Sequence, residues 1–197
     1  MAKHTLSATP DTTRLGVFDA SYPPVLTVAS GDTVEFQCVS GRPEVVPPPD
    51  SGLAIPPALQ AVLDGNDGKT WRGHILTGPV AIEGASPGDV LEVRVDRVTP
   101  AADWGYNVIR PLAGTIPEDF EETQLLHIPV DRERGVCTLP WGTELELAPF
   151  FGVMGVAPPP AYGTISSIEP RVHGGNMDNK ELVAGSTVFL PEIGRAH

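Results

Sequence analysis

The sequence predicts a mainly β fold, an antiparallel β-sandwich of jelly-roll type with minor helix. Three observations point there. Apolar and polar residues alternate at period two in several short segments, the signature of strands with one buried face. Gly 21 and Pro 22 punctuate the 197 residues without a repeat, which suits many short strands joined by turns. Helix-forming residues gather in one short segment only. A chain of this length is enough for one sizeable domain that buries roughly 70% of its unfolded surface, so residues 1–197 are read as a single domain.

Taken in order, Thr33–Val39 places Val34, Phe36 and Cys38 on one face and Glu35 and Gln37 on the other. This reads as a half-buried antiparallel strand with Cys38 as a small buried hydrophobe. The run Ile55-Pro-Pro-Ala-Leu-Gln-Ala-Val-Leu63 begins with prolines suited to a first helical turn. It predicts at most two turns, ended at Asp64-Gly65. Val90–Asp96 alternates again, with Leu91, Val93 and Val95 inward; Thr143–Leu147 repeats the pattern, and Ser186–Leu190 is a further strand. Gly31-Asp32 and Gly88-Asp89 enter their strands alike, with Gly for the tight turn and Asp bonding back to the backbone. Phe150–Ala157 is apolar with two glycines and reads as a buried strand. Long loops are expected at 66–77, 100–117 and 156–181, where function concentrates on a rigid β scaffold. Within the second, Trp104 beside Gly105 either walls a small pocket or anchors its loop.

Lys+Arg 13 against Asp+Glu 25 gives a net charge of −12, which repels phosphate backbones and argues against nucleic-acid binding. Two cysteines make no disulfide framework. No apolar run approaches the ~20 residues of a membrane helix, and the first residues lack the apolar stretch of a signal peptide. A soluble, cytoplasmic protein is expected.

Phosphate loops, dinucleotide fingerprints, nucleophile elbows and paired-cysteine zinc motifs are absent from the sequence. The densest chemistry is His173-Gly-Gly-Asn-Met-Asp178, which packs an imidazole, a carboxamide, a carboxylate and two glycines into six residues. It is either a metal or polar-substrate site, or a Gly-Gly turn with a chance histidine. His74 sits in Trp71-Arg-Gly-His-Ile-Leu-Thr-Gly-Pro79, as a ligand or a surface residue.

Four segments carry a family resemblance. They are Thr77-Gly-Pro with Glu83-Gly-Ala-Ser-Pro-Gly-Asp89, Asp103-Trp-Gly105, Pro149-Phe-Phe-Gly-Val-Met-Gly-Val-Ala-Pro158, and His173-Gly-Gly-Asn-Met-Asp178. In order and spacing the chain resembles the acetamidase/formamidase family of amide hydrolases from about Thr12 to Pro191. The resemblance implies a jelly-roll-like sandwich, hydrolysis of short linear amides to a carboxylate and ammonia, and a bound divalent cation, zinc or calcium. For that chemistry the sequence offers His74, His173 and Asp178 as metal ligands, Asn176 as hydrogen-bond partner of the amide carbonyl, and Glu83 as base, as support for the ligands, or as a turn residue capping the Gly84-Ala85 bend. The resemblance also implies a further C-terminal portion with an acidic motif, Asp-x-His-Ala-x-Gln-Gly-Asp-Gly-Glu, where this sequence runs Leu190-Pro-Glu-Ile-Gly-Arg-Ala-His197. A C-terminally truncated member is therefore expected, with little activity and an uncovered sheet edge that favours a homo-oligomer. The competing expectation is a non-catalytic β-sandwich module that binds a small ligand or serves as a subunit.

Overall fold

The computed structural model describes residues 1–193. Strands run β1 Lys3–Leu6, β2 Thr13–Leu15, β3 Val17–Phe18, β4 Leu26–Val28 and β5 Thr33–Phe36. Helix α1 Pro57–Asp64 follows, then β6 Ile75–Thr77, β7 Val80–Ile82 and β8 Val90–Arg94. Next come β9 Trp104–Ile109, β10 Gln124–Asp131, β11 Val136–Thr138 and β12 Glu144–Glu146. The chain closes with β13 Val153–Gly155, β14 Ile165–Ser166, β15 Gly174–Asn176 and β16 Thr187–Pro191.

The chain divides into two compact units. The first contains Met1–Gly41, Pro57–Thr99 and the stretch from Pro149 onward. Its strands pair in twos: β1 with β5 and β4 with β7 in parallel, and β2 with β6, β3 with β14, β8 with β16 and β13 with β15 antiparallel. Its core includes Leu6, Val28, Leu59, Val62, Val95, Val156, Ile165, Leu182 and Leu190. Helix α1 supplies Leu59, Val62 and Leu63 to it. The Asn66 carboxamide donates to Val62 O at 2.8 Å, which satisfies a carbonyl at the helix end. Removing a side chain such as Leu59 from this core costs about 2–5 kcal/mol.

The second unit contains Arg42–Pro56 and Pro100–Ala148. It holds one antiparallel sheet in the order β12-β11-β10-β9. Val45, Pro47 and Trp104 are its buried residues. Two ring N–H groups fasten residues 42–56 to the sheet. The Trp104 indole donates to Ala54 O at 2.8 Å and His127 Nε2 to Val45 O at 3.0 Å. The two rings also meet edge to face, 6.0 Å apart.

The fold is mainly β with one α-helix among the described residues, as expected, and α1 ends where Asp64-Gly65 predicted. Both Gly-Asp entries form the expected turn, the Asp32 and Asp89 carboxylates accepting from the N–H of Ala29 and Ser86. Five differences have physical reasons. The described strands fall into seven separate sheets rather than two continuous ones, because glycine and proline keep most strands to two to five residues. The strand Thr33–Phe36 pairs in parallel, not antiparallel, with the chain start. Cys38 lies beyond that strand's end and is exposed rather than buried. β12 forms, but all three of its residues are exposed, so its alternation buries nothing. The expected loops at 66–77, 100–117 and 156–181 contain β6, β9, and β14 with β15, and Trp104 anchors a strand rather than a loop.

Candidate active site

Residues 13–18 form one extended stretch with two partners. Its first half, β2, pairs with β6; its second half, β3, pairs with β14. Gly16 stands at the change-over. Its N–H donates to His74 O at 2.7 Å and its carbonyl accepts from Ser167 N–H at 2.9 Å. Its φ is +71°, and a Cβ there would lie 1.6 Å from Arg72 O, so no other residue fits. This seam sets His74 beside Ser167, 93 residues away in sequence. Ser167 is 0% exposed. Its Oγ accepts the His74 backbone N–H at 3.1 Å and lies 3.0 Å from His74 Nδ1.

The β13–β15 pair carries the glycine-rich motif. Gly155 faces Gly174 and Met154 faces Gly175, so the two backbones close with little between them. A Cβ on Gly174 would sit 2.3 Å from Met154 O. Beyond β15 the chain folds back: Asp178, at φ +43°, donates its N–H to Gly152 O at 3.0 Å. Positive φ in a non-glycine residue stores local strain of the kind found at functional sites. Gly152 leaves the room this needs, since a Cβ there would meet Asp178 Oδ1 at 2.7 Å. Asn176 Nδ2 donates to Asp178 Oδ2 at 3.0 Å.

Electrostatics join these two pieces. Partial burial pushes the His74 imidazole below its usual pKa, while the Asp178 charge and a backbone hydrogen bond with Ser167 pull it back up. Ser167 thus bonds His74, Asn176 bonds Asp178, and the Asp178 charge reaches from the second pair to the first. His173 sits apart from these pairs electrostatically. Its ring is 1% exposed and packs edge-on against Phe18 at 5.1 Å. Burial first, and then the Arg171 charge, lower its pKa. Among the described residues its buried Nε2 has no hydrogen-bond partner. Glu83 is exposed at the end of β7, where its backbone N–H donates to Val28 O at 2.8 Å. No described hydrogen bond or ion pair joins its carboxylate to either pair.

Among the described residues, no three His, Cys, Asp or Glu side chains gather as an ion site would require. His74 and Asp178 offer two donors, below the three protein ligands of an open zinc site. The motif around His173 was legible in the sequence, whereas Ser167 was not. It is an ordinary serine in a Ser-Ser pair, and only the Gly16 seam distinguishes it.

The chain resembles known proteins over most of its length. The pattern of the acetamidase/formamidase family matches residues 18–166. A formamidase of Methylophilus methylotrophus is 26% identical over 60% of this chain and 42% of its own. Among solved structures, a recombinant predicted acetamidase/formamidase from Thermoanaerobacter tengcongensis superposes with a TM-score of 0.79 at 26% identity, covering 100% of this chain and 59% of that one. An acetamidase from Bacillus halodurans gives 0.76 at 28% identity over 98% and 59%. The chain thus spans less than two thirds of the relatives' length. His74 and Glu83 fall inside the matched family stretch, while Ser167, His173, Asn176 and Asp178 lie just past it. With three quarters of its residues under that pattern and the same fold throughout, the chain belongs to the acetamidase/formamidase family.

Proposed function

We propose that this chain acts in the hydrolysis of short linear amides of the formamide or acetamide type, through His74, Asn176 and Asp178. The observation that carries the reading is the link between these residues. In a member of this family, the Asp178 charge acts on His74 from a distant segment of the chain, and Asn176 donates a hydrogen bond to Asp178. Asp178 is the base that takes a proton from water as the oxygen attacks the carbonyl carbon. His74, held toward its neutral form by burial, interacts with the substrate oxygen as negative charge develops there. Asn176 spends one N–H on Asp178 and has a second for the substrate. The carbon–nitrogen bond then breaks, and the proton on Asp178 leaves with ammonia.

A zinc or calcium ion, implied by the resemblance, would polarise the carbonyl and activate water. Among the described residues the donors do not fill a coordination sphere, and the chain's own side chains carry the proton and hydrogen-bond steps. For assembly, the reading is a homo-oligomer, supported by Val90 and Phe189, each 62% exposed on the same face of the β8–β16 pair.

Ammonia release from formamide and acetamide tests the activity. His74→Ala and Asp178→Ala should each lower it on the order of 10²–10⁴-fold. Equal rates in wild type and variants would remove both residues from the chemistry. No release from wild type would overturn the reading itself.

A further inference from the structure

Resting on that reading of His74, we propose that Ser167 is a positioning residue whose buried hydroxyl fixes the His74 ring as its Nε2–H tautomer. The hydroxyl has one proton and two lone pairs. One lone pair is taken by the His74 backbone N–H at 3.1 Å. The side chain is 0% exposed, so bulk water does not reach its proton. The acceptor within reach is His74 Nδ1 at 3.0 Å. Were Nδ1 itself protonated, two N–H groups would point at one oxygen and the hydroxyl proton would be buried unpaired, a cost of about 1–3 kcal/mol. The ring proton therefore sits on Nε2, the nitrogen that makes no hydrogen bond with the Ser167 hydroxyl.

The seam holds this arrangement rigidly. Ser167 N–H is tied to Gly16 O, Gly16 N–H to His74 O, and a Cβ on Gly73 would strike Ser167 Oγ at 2.4 Å. The consequence for chemistry is a division of labour. A neutral imidazole with Nε2–H donates a hydrogen bond and cannot take a proton at that atom. His74 thereby becomes the donor to the amide oxygen, and proton abstraction falls to Asp178.

Nitrogen-15 chemical shifts of the His74 ring in the wild-type protein, above pH 7, read the tautomer directly. The Nε2–H form is expected, and Ser167→Ala should replace it with a mixture while the fold, followed by amide spectra, stays intact. An Nδ1–H ring in the wild type overturns the proposal, as does an unchanged tautomer in Ser167→Ala. If Ser167→Ala does not fold, the wild-type shift alone decides. Ammonia release separates this from the amide reading. A fall of about 10²-fold in kcat at constant KM is expected from a misdirected ring. A shifted tautomer with unaltered release would sink the amide role of His74 and leave the positioning by Ser167 standing.

Discussion

The two units are made from the same short strands but differ in how far along the chain each strand finds its partner. In the second unit, β9 to β12 pair strictly in sequence order, as a meander. In the first, β3 pairs with β14 and β1 with β5, and a Thr164–Asp19 hydrogen bond at 2.6 Å spans 145 residues. Distant pairing costs more loop-closure entropy, which the core of the first unit offsets. The second unit buries little and leaves Leu112, Trp141 and Leu145 exposed. Distant pairing also makes chemistry possible. His74 and Ser167 can meet only because Gly16 draws their remote segments together, whereas a meander brings together only its sequence neighbours.

Alanine at two glycines would break this comparison most sharply. Gly16 and Gly142 both hold positive φ, +71° and +90°. Each should lose about 1–2 kcal/mol from that backbone alone. Around Gly142, in the β11–β12 turn, a Cβ meets nothing within 4 Å, while at Gly16 it overlaps Arg72 O. Gly142→Ala should therefore stop at that small loss. Gly16→Ala should exceed about 4 kcal/mol, enough to unfold a marginal unit. Urea unfolding midpoints give both values. Similar losses would show that the seam relaxes and does not govern the first unit.

This contrast also explains what the sequence reveals. Val90–Arg94 and Thr187–Pro191 are legible because one face of each turns inward, with Leu91 and Val93 against Val188 and Leu190. β9 is hidden by Gly105 and Asn107, which read as turn residues. β10 is hidden by the Leu125-Leu126 pair and by Pro129, which a strand tolerates poorly away from an edge. The His173–Asp178 motif announces itself by composition. Ser167 and Gly16 do not, since their meaning lies in partners 93 and 58 residues away and no local pattern encodes such a distance.

Acid should sharpen the comparison next. His74 and His173, both in the first unit, are held below the usual imidazole pKa, chiefly by burial. The sign follows from proton counting. As pH falls below about 6.5 the unfolded imidazoles take protons before the folded ones do. Stability is thus full above that pH and declines as pH drops toward the lower folded values. His173 adds a buried Nε2 that is unpaired among the described residues. His173→Phe, which removes both the titration and the orphaned atom, should flatten the decline. It should be neutral or stabilising by about 1 kcal/mol at neutral pH. Thermal unfolding of wild type and variant at pH 5.5 and 7.5 is the measurement. A steeper decline in the variant would mean that the ring has a partner in solution.

The smallest effect separates a long-range anchor from a local one. Asp32 ties the chain start to β5. Its carboxylate accepts from Ala2 N–H at 2.6 Å, from His4 Nε2 at 3.0 Å and from Ala29 N–H at 3.2 Å. The Ala2 N–H foremost, then His4, lowers its pKa to about 2. In the second unit, Glu144 accepts two hydrogen bonds from Arg134, each 2.8 Å, which also lower its pKa. Both contributions are present above about pH 4 and vanish as pH falls toward the folded values. The consequences differ, because Arg134 and Glu144 already share a hairpin, whereas β1 reaches β5 only across 30 residues. The Arg134–Glu144 pair is also open to solvent, with side chains 59% and 46% exposed, and surface pairs of this kind add little. Between about pH 4 and pH 2, amide exchange corrected for its intrinsic rate should therefore rise along the β1–β5 ladder, at Thr33 and Gln37. It should change less at β11–β12. Asp32→Asn should show the raised exchange already at pH 4, and Glu144→Gln should not. If both variants open their strands equally, sequence distance is not what makes an anchor matter in this chain.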